Sequence, residues 1–147
     1  MTQPPDAAVK IHMKTHMGSC LCGSVAFEIE GAFESFYLCH CGRCRKNSGS
    51  AFAANLFSST ASLRWQRGQD KVKQFDLPST RHSRSFCSIC GSPVPGLQMD
   101  GALVVVPAGS LDSDVAISPI AHIFAACRAG WDQDLEAVPS LEGLPPS

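Results

Sequence analysis

Seven of the chain's eight cysteines fall into three tight clusters: Cys20-Leu-Cys22, Cys39-His-Cys41-Gly-Arg-Cys44 and Cys87-Ser-Ile-Cys90, with Cys127 standing alone. Closely spaced thiols suit zinc, which takes four ligands in a tetrahedron with Zn–S bonds near ~2.3 Å, because a tight turn can place two sulfurs along one edge. Gly23, Gly42 and Gly91 lie beside the clusters and permit such turns. Two pairs close a four-thiolate site, so clusters of two, three and two divide as four plus three. The simplest division joins the outer pairs, Cys20, Cys22, Cys87 and Cys90, into a structural zinc site that ties the start of the domain to its middle. It leaves Cys39, Cys41 and Cys44 as a local group of three. Three protein ligands with one open position is the pattern of a catalytic zinc, so the expected cofactor is two zinc ions per chain.

Other readings of the same residues stand beside this one. The cysteines could pair as disulfides, against which the absence of a secretory pattern speaks. They could hold an iron–sulfur cluster, although its common spacings differ from these. All seven could serve structure alone, with His40 or a water completing the second site. Cys127 reads as a small buried hydrophobe. His40 is a possible general acid or base, but a side chain between two ligands often points away from the metal. Arg43, Arg45 and Lys46 flank the cluster and read either as partners for an anionic substrate or as a solvated basic turn. Ser48 and Ser50 read as cap or turn residues.

These residues must be positioned by short strands. Ser24–Glu30 alternates small or apolar residues with polar ones, and Phe36–Leu38, Ala51–Phe57, Leu63–Gln66, Val72–Leu77, Arg81–Phe86, Ala102–Val106 and His122–Ala125 follow between Ser, Gly, Asp and Pro punctuation. The pattern predicts an all-β domain. One helix is expected over Arg43–Ser48, stopped by Gly49. Trp65, Phe75, Phe86 and Phe124 are expected in the core, Trp131 is expected to pack the chain end onto the sheet, and His122 reads as a hydrogen-bonded strand histidine.

With 147 residues, 44% of them hydrophobic, the chain reads as one domain able to bury a core without needing metal merely because it is small. The expected organisation is a flexible leader over 1–16, a zinc-binding β domain over 17–135 and a flexible tail over 136–147. The formal net charge of -1 leaves no electrostatic footprint for nucleic acid, and thiolate-bound zinc makes the charge more negative still. Residues Met1–Met17 lack the apolar region of a secretory signal, and no stretch is long and apolar enough to span a bilayer. The expected setting is the cytoplasm, where thiols stay reduced.

Around these cysteines the sequence resembles the glutathione-dependent formaldehyde-activating enzyme family, which also includes centromere protein V. The resemblance is carried by Gly18–Phe27 (G-S-C-L-C-G-S-V-A-F), Cys39–Ser50 (C-H-C-G-R-C-R-K-N-S-G-S), Phe86–Val94 (F-C-S-I-C-G-S-P-V), Ala108–Asp112 (A-G-S-L-D) and His122–Phe124, with Trp131 beyond. It implies a β-tent zinc fold of short antiparallel strands. It implies a structural zinc at Cys20, Cys22, Cys87 and Cys90, and a second zinc, held more loosely, at Cys39, Cys41 and Cys44. The implied activity is that of a carbon–sulfur lyase that joins formaldehyde to the thiol of glutathione, giving S-hydroxymethylglutathione. In such a site the thiol would be deprotonated on zinc and attack the aldehyde carbon, or zinc would polarise the aldehyde oxygen. Arg43, Arg45 and Lys46 would then meet glutathione's carboxylates. Two competing expectations are a non-catalytic zinc module that binds a partner protein, and a thiol or metal sensor whose three-cysteine site loads and unloads zinc.

Overall fold

The structure, a computed structural model, describes residues 14–146 of the chain. It is mainly β, built from short strands as expected for a β-tent zinc fold. Strands β1 (Thr15–Ser19), β2 (Ala26–Glu30) and β5 (Ser62–Arg67) form one sheet in the order β1-β2-β5. A second, five-stranded sheet runs β11 (Ala121–Ile123), β3 (Ser35–Cys39), β4 (Ala53–Ser58), β10 (Leu103–Pro107) and β9 (Gly96–Gln98). A third joins β6 (Val72–Asp76), β7 (Ser83–Cys87) and β8 (Pro93–Val94). Neighbouring strands pair antiparallel, except that β11 runs parallel to β3.

The period-two alternation of β2 sets its two faces. Phe27 and Ile29 are fully buried, opposite Trp65 and Leu63 of β5. On the other face Glu28 pairs with Arg64 at 2.8 Å. Strand β10 reads as a continuous apolar run because it is paired on both edges, by β4 and β9, and three of its residues, Val104, Val105 and Val106, are buried. Phe27 and Ile29 meet Phe36 of β3, Leu56 of β4, and Val104 and Val106 of β10 in the main core. Burying each such side chain is worth about 1.5–3 kcal/mol. A second core holds Cys20, Val25, Cys87 and Val94, with Trp65, Val72 and Cys90 packed against it. It is centred on the outer cysteine pairs and joins the first sheet to the third.

The expected strands over 24–30, 36–38, 51–57, 63–66, 72–77 and 102–106 correspond to β2, β3, β4, β5, β6 and β10. The expected helix is α1 (Gly42–Ser48), and Gly49 stops it in the left-handed conformation (φ 65°), donating its N–H to Arg45 O at 2.8 Å. The expected leader lies largely outside the described residues, but its end does not. Thr15 and His16 already pair with Glu30 and Ile29 in β1, and His16 is buried. The expected tail, as far as Pro146, is exposed, with one 3₁₀ turn at Leu135–Ala137.

Four residues expected inside are not. Phe75 is 53% exposed because β6 is the edge of the small third sheet. Phe124 is 63% exposed because β11 ends at Ile123 and Phe124 itself turns left-handed (φ 53°), which lifts its ring off the sheet. Cys127 is exposed in the 3₁₀ turn that follows, Ala125–Cys127. Trp131 is exposed and lies beside α1 rather than on a sheet.

Gly18 is required by a close approach. It pairs with Phe27 in β1–β2 and bridges to Leu111. A Cβ at this position would overlap the Phe27 ring and stand 2.6 Å from Ser110 O. Gly18→Ala is therefore expected to lower stability by about 1–3 kcal/mol, as overpacking does in a filled core; a urea unfolding midpoint equal to wild type would contradict this.

Candidate metal centres and active site

The outer cysteine pairs sit in matching turns. Each ends in Cys-Gly-Ser: Cys22-Gly23-Ser24 and Cys90-Gly91-Ser92. Both glycines adopt left-handed backbone, φ 81° at Gly23 and 79° at Gly91, which a Cβ would disfavour. The turns bring each serine hydroxyl back to the preceding sulfur, 3.2 Å at Ser24–Cys22 and 3.3 Å at Ser92–Cys90. Backbone N–H groups also point at sulfur: Val25 N–H donates to Cys20 Sγ at 3.2 Å and Ile89 N–H to Cys87 Sγ at 3.4 Å. The Ser92 hydroxyl and N–H hold the Cys90 thiol down to about 5, and the Ser24 hydroxyl holds Cys22 below its ordinary value. These groups favour thiolate.

The four sulfurs of Cys20, Cys22, Cys87 and Cys90 lie within 4.8 Å of one another. Cys20–Cys22 is 3.6 Å and Cys22–Cys87 is 3.9 Å. A tetrahedron with metal–sulfur bonds of ~2.3 Å has edges of about 3.8 Å, whereas a disulfide requires about 2.05 Å. The donor set and its spacing fit zinc.

The sulfurs of Cys39, Cys41 and Cys44 likewise lie within 4.8 Å of one another. Cys39 ends β3, Cys41 is the N-cap of α1, and Cys44 is in its first turn. The Cys41 sulfur accepts the Cys44 N–H at 3.3 Å, taking the place of the usual oxygen cap. Gly42, expected as a turn glycine, instead opens the helix. Burial raises the Cys39 and Cys44 thiols. Three soft donors on a short rigid segment also fit zinc, with a side left for a fourth ligand.

His40 points away from this cluster. It is fully buried, with Nε2 2.7 Å from His122 Nδ1 and Nδ1 3.0 Å from the buried Asp132 carboxylate. Arg128 Nε lies 3.3 Å from the same carboxylate oxygen. The His40 N–H donates to Ile123 O at 3.0 Å, which fastens the segment between the two ligands to β11. The His122 expectation of a hydrogen-bonded strand histidine agrees with this arrangement.

A cavity of about 890 Å³ is lined by Cys39, Cys41 and Cys44. Phe52, Phe57 and Phe124 supply apolar wall, and Arg43, Arg81, His82 and Arg84 supply charge and hydrogen-bonding groups. Of the three basic residues expected at the site, only Arg43 lines this cavity. Arg45 and Lys46 face a separate hollow of about 260 Å³ with Gly42, Gly49, Ser50 and Trp131, and Arg45 donates to Cys127 O at 3.1 Å. Helical geometry explains the split: positions 43, 44 and 47 share a face, and 45 and 46 lie on the other side. Asn47, on the cavity face, is 3.2 Å from His82 Nε2. The sequence reading missed Arg81, His82, Arg84 and Asn47. Asn47 was within reach through its i+3 spacing from Cys44, but nothing local links α1 to the turn before β7.

Fold and site together define a mainly β protein with paired cysteine knuckles and a three-thiol cluster opening on a cavity. The sequence profile of the glutathione-dependent formaldehyde-activating enzyme family matches residues 15–127, and the chain belongs to that family. None of the curated proteins matches it. Among solved structures, a crystal structure of a Rhodobacter sphaeroides protein is similar, with a TM-score of 0.54 and 23% identity over 72% of this chain and 98% of the other; it shares the fold.

Acidification is expected to empty the three-sulfur cluster of zinc before the four-sulfur one. Protons compete with metal for thiolate. They do so at higher pH where burial raises Cys39 and Cys44, Cys41 alone of that cluster being lowered, and in a more acidic range where Ser92 and Ser24 lower Cys90 and Cys22, Cys87 alone of that set being raised. Zinc release followed with a chromophoric chelator from about pH 7.5 to about 4.5 should show two steps, the earlier one lost in Cys41→Ser. A single step would contradict the assignment.

Proposed function

We propose that the chain is a zinc-dependent carbon–sulfur lyase that joins formaldehyde to the thiol of glutathione, with Cys20, Cys22, Cys87 and Cys90 holding a structural zinc and Cys39, Cys41 and Cys44 a catalytic one. The observation that carries this reading is the three-thiol cluster in the wall of a cavity bordered by three arginines. Its volume falls in the ~300–1,000 Å³ range of small-molecule sites. Family membership supports glutathione and formaldehyde as the substrate class. The reducing conditions that keep such thiols free make the cytoplasm the setting; no helix among the described residues is long and apolar enough to cross a membrane.

Held by Cys39, Cys41 and Cys44, zinc would favour an incoming thiol as its thiolate near neutral pH. The chain's own residues do the rest. Arg43, Arg81 and Arg84 meet the substrate's carboxylates, for which a guanidinium offers a bidentate fit. Arg84 is itself held in place, donating to Gly91 O at 3.0 Å and lying 5.4 Å from the Phe86 ring centre. Phe52 and Phe57 exclude water from one side of the site, which strengthens each charged contact. Arg45 and Lys46, on the other side of α1, are solvated or structural.

The reaction is followed by exchange NMR of glutathione with formaldehyde, as enhancement over the uncatalysed rate. The zinc-loaded protein is expected to accelerate it, and Cys41→Ser to abolish the gain while the β fold persists by circular dichroism. Arg43→Ala is expected to raise the glutathione KM about tenfold, the loss of one charge-assisted contact of about 1.5 kcal/mol, with kcat little changed. A fully zinc-loaded protein that leaves the background rate unaltered would sink the assignment and favour a partner-binding zinc module.

A further inference from the structure

Adding a thiol to an aldehyde moves one proton from sulfur to the former carbonyl oxygen, and a positioned side chain commonly carries it. Few residues of the cavity can. The guanidinium groups of Arg43, Arg81 and Arg84 donate hydrogen bonds and offer no lone pair to take a proton. Asp112 is occupied, accepting from the Ser19 hydroxyl at 2.7 Å. Cys20 belongs to the four-sulfur knuckle. His40, although it sits between two cysteines of the cluster, is turned into the protein toward His122 and Asp132. Among the lining residues this leaves His82, the one side-chain type that both gives and takes a proton near neutrality.

The placement of His82 is specific. It closes the turn between β6 and β7: Leu77 N–H donates to its carbonyl at 3.0 Å, and its own N–H donates to Thr80 Oγ1 at 3.1 Å. The ring is half-buried and fixed through Nε2 by Asn47, across 35 positions of sequence. Asn47 follows Cys44 by three residues in α1, so the hydrogen bond ties the ring to the helix face that presents a cluster sulfur. With the Asn47 amide turned so that its oxygen accepts from Nε2–H, Nδ1 is the unprotonated ring nitrogen left to take a substrate proton.

We propose that His82 is the acid–base residue of the proposed reaction, taking the thiol proton and delivering it to the aldehyde oxygen as the carbon–sulfur bond forms, with Asn47 as its positioning residue. This rests on the lyase reading above. The S–H bond breaks and the C–S bond forms. The carbonyl π pair becomes the oxygen lone pair that receives the proton. Thiol plus aldehyde gives the hydroxymethyl thioether, with no oxidant, reductant or third reactant. The charged groups around the ring are suited to proton transfer. Arg43 from α1 acts on the ring directly, and Arg81, Arg84 and Asp112 line the same cavity. Burial and then Arg43 hold His82 below its usual 6.5, so the ring starts the cycle as a neutral base.

The test compares the zinc-loaded wild type, His82→Gln and Asn47→Leu by exchange NMR of glutathione and formaldehyde across pH. Wild type should lose activity as pH falls through the His82 pKa, below 6.5. His82→Gln should lower kcat by about 100-fold or more, keep the glutathione KM within about threefold, and lack that acidic limb. Asn47→Leu should lower kcat about tenfold and displace the limb. Independently of turnover, the His82 ring proton resonances should shift when glutathione alone is added to wild type. Retention of kcat within about threefold and of the acidic limb in His82→Gln would overturn the proposal, as would ring resonances that ignore glutathione. If His82→Gln does not fold, the Asn47→Leu profile and the wild-type resonances decide. A wild type that fails to accelerate the reaction removes the lyase reading itself, which separates that failure from a failure of His82 alone.

Discussion

The four sulfurs of Cys20, Cys22, Cys87 and Cys90 impose the constraint on which the rest of the molecule leans. Two turns far apart in sequence converge until their sulfurs stand 3.6 to 3.9 Å apart along two edges of a tetrahedron. The first turn connects β1 to β2, and the second connects β7 to β8. Their meeting point is also the second hydrophobic core, with Val25 and Val94 packed around it. Without it the small third sheet, whose β6 is mostly exposed, has little apolar surface with which to hold its place. That sheet and the turn before it bring Arg81, His82 and Arg84 to the cavity, so a structural knuckle governs the geometry of a site to which it contributes little chemistry.

The three-sulfur cluster is built on a different principle. Its ligands are local, and their positions come from the end of β3 and the first turn of α1. What fixes that segment is its backing. The His40 side chain is locked into a buried cluster with His122 and Asp132, and its N–H is tied to β11. A buried carboxylate next to a histidine and an arginine is costly to desolvate unless all partners are held. The chain after β11, although mostly exposed, is therefore anchored at Asp132.

Much of this was legible in the sequence, for identifiable reasons. The cysteine clusters announced themselves because thiols two or three residues apart with an adjoining glycine form a local geometric statement. Strand β2 was legible through alternation, and the end of α1 through Gly49. Strand β1 was not, because Thr-His-Met-Gly-Ser has no apolar rhythm and owes its order to pairing with β2. Strands β8 and β9 are too short to carry a pattern. Phe75 and Phe124 misled because hydrophobicity predicts burial only when a neighbouring layer exists to cover it. Arg45 and Lys46 were grouped with Arg43 by adjacency, where the helix sorts them by angle. Arg81, His82 and Arg84 were out of reach: only the tertiary fold brings their turn against α1.

The sequence span of the two clusters also bears on how the molecule comes to be folded. Cys22 and Cys87 are 65 positions apart, and closing a flexible loop of that length costs roughly 4 kcal/mol in chain entropy, apart from a constant term. The four-sulfur knuckle can form only once the intervening strands have brought its halves together, so metal captured there stabilises the native chain over the unfolded one. Cys39, Cys41 and Cys44 are within six residues and can gather around an ion before the sheets exist. An ion that also binds the unfolded chain adds correspondingly less to native stability. A metal at the four-sulfur knuckle would thus act as a late lock on topology, and one at the three-sulfur cluster as an early passenger that the finished fold then surrounds with a cavity.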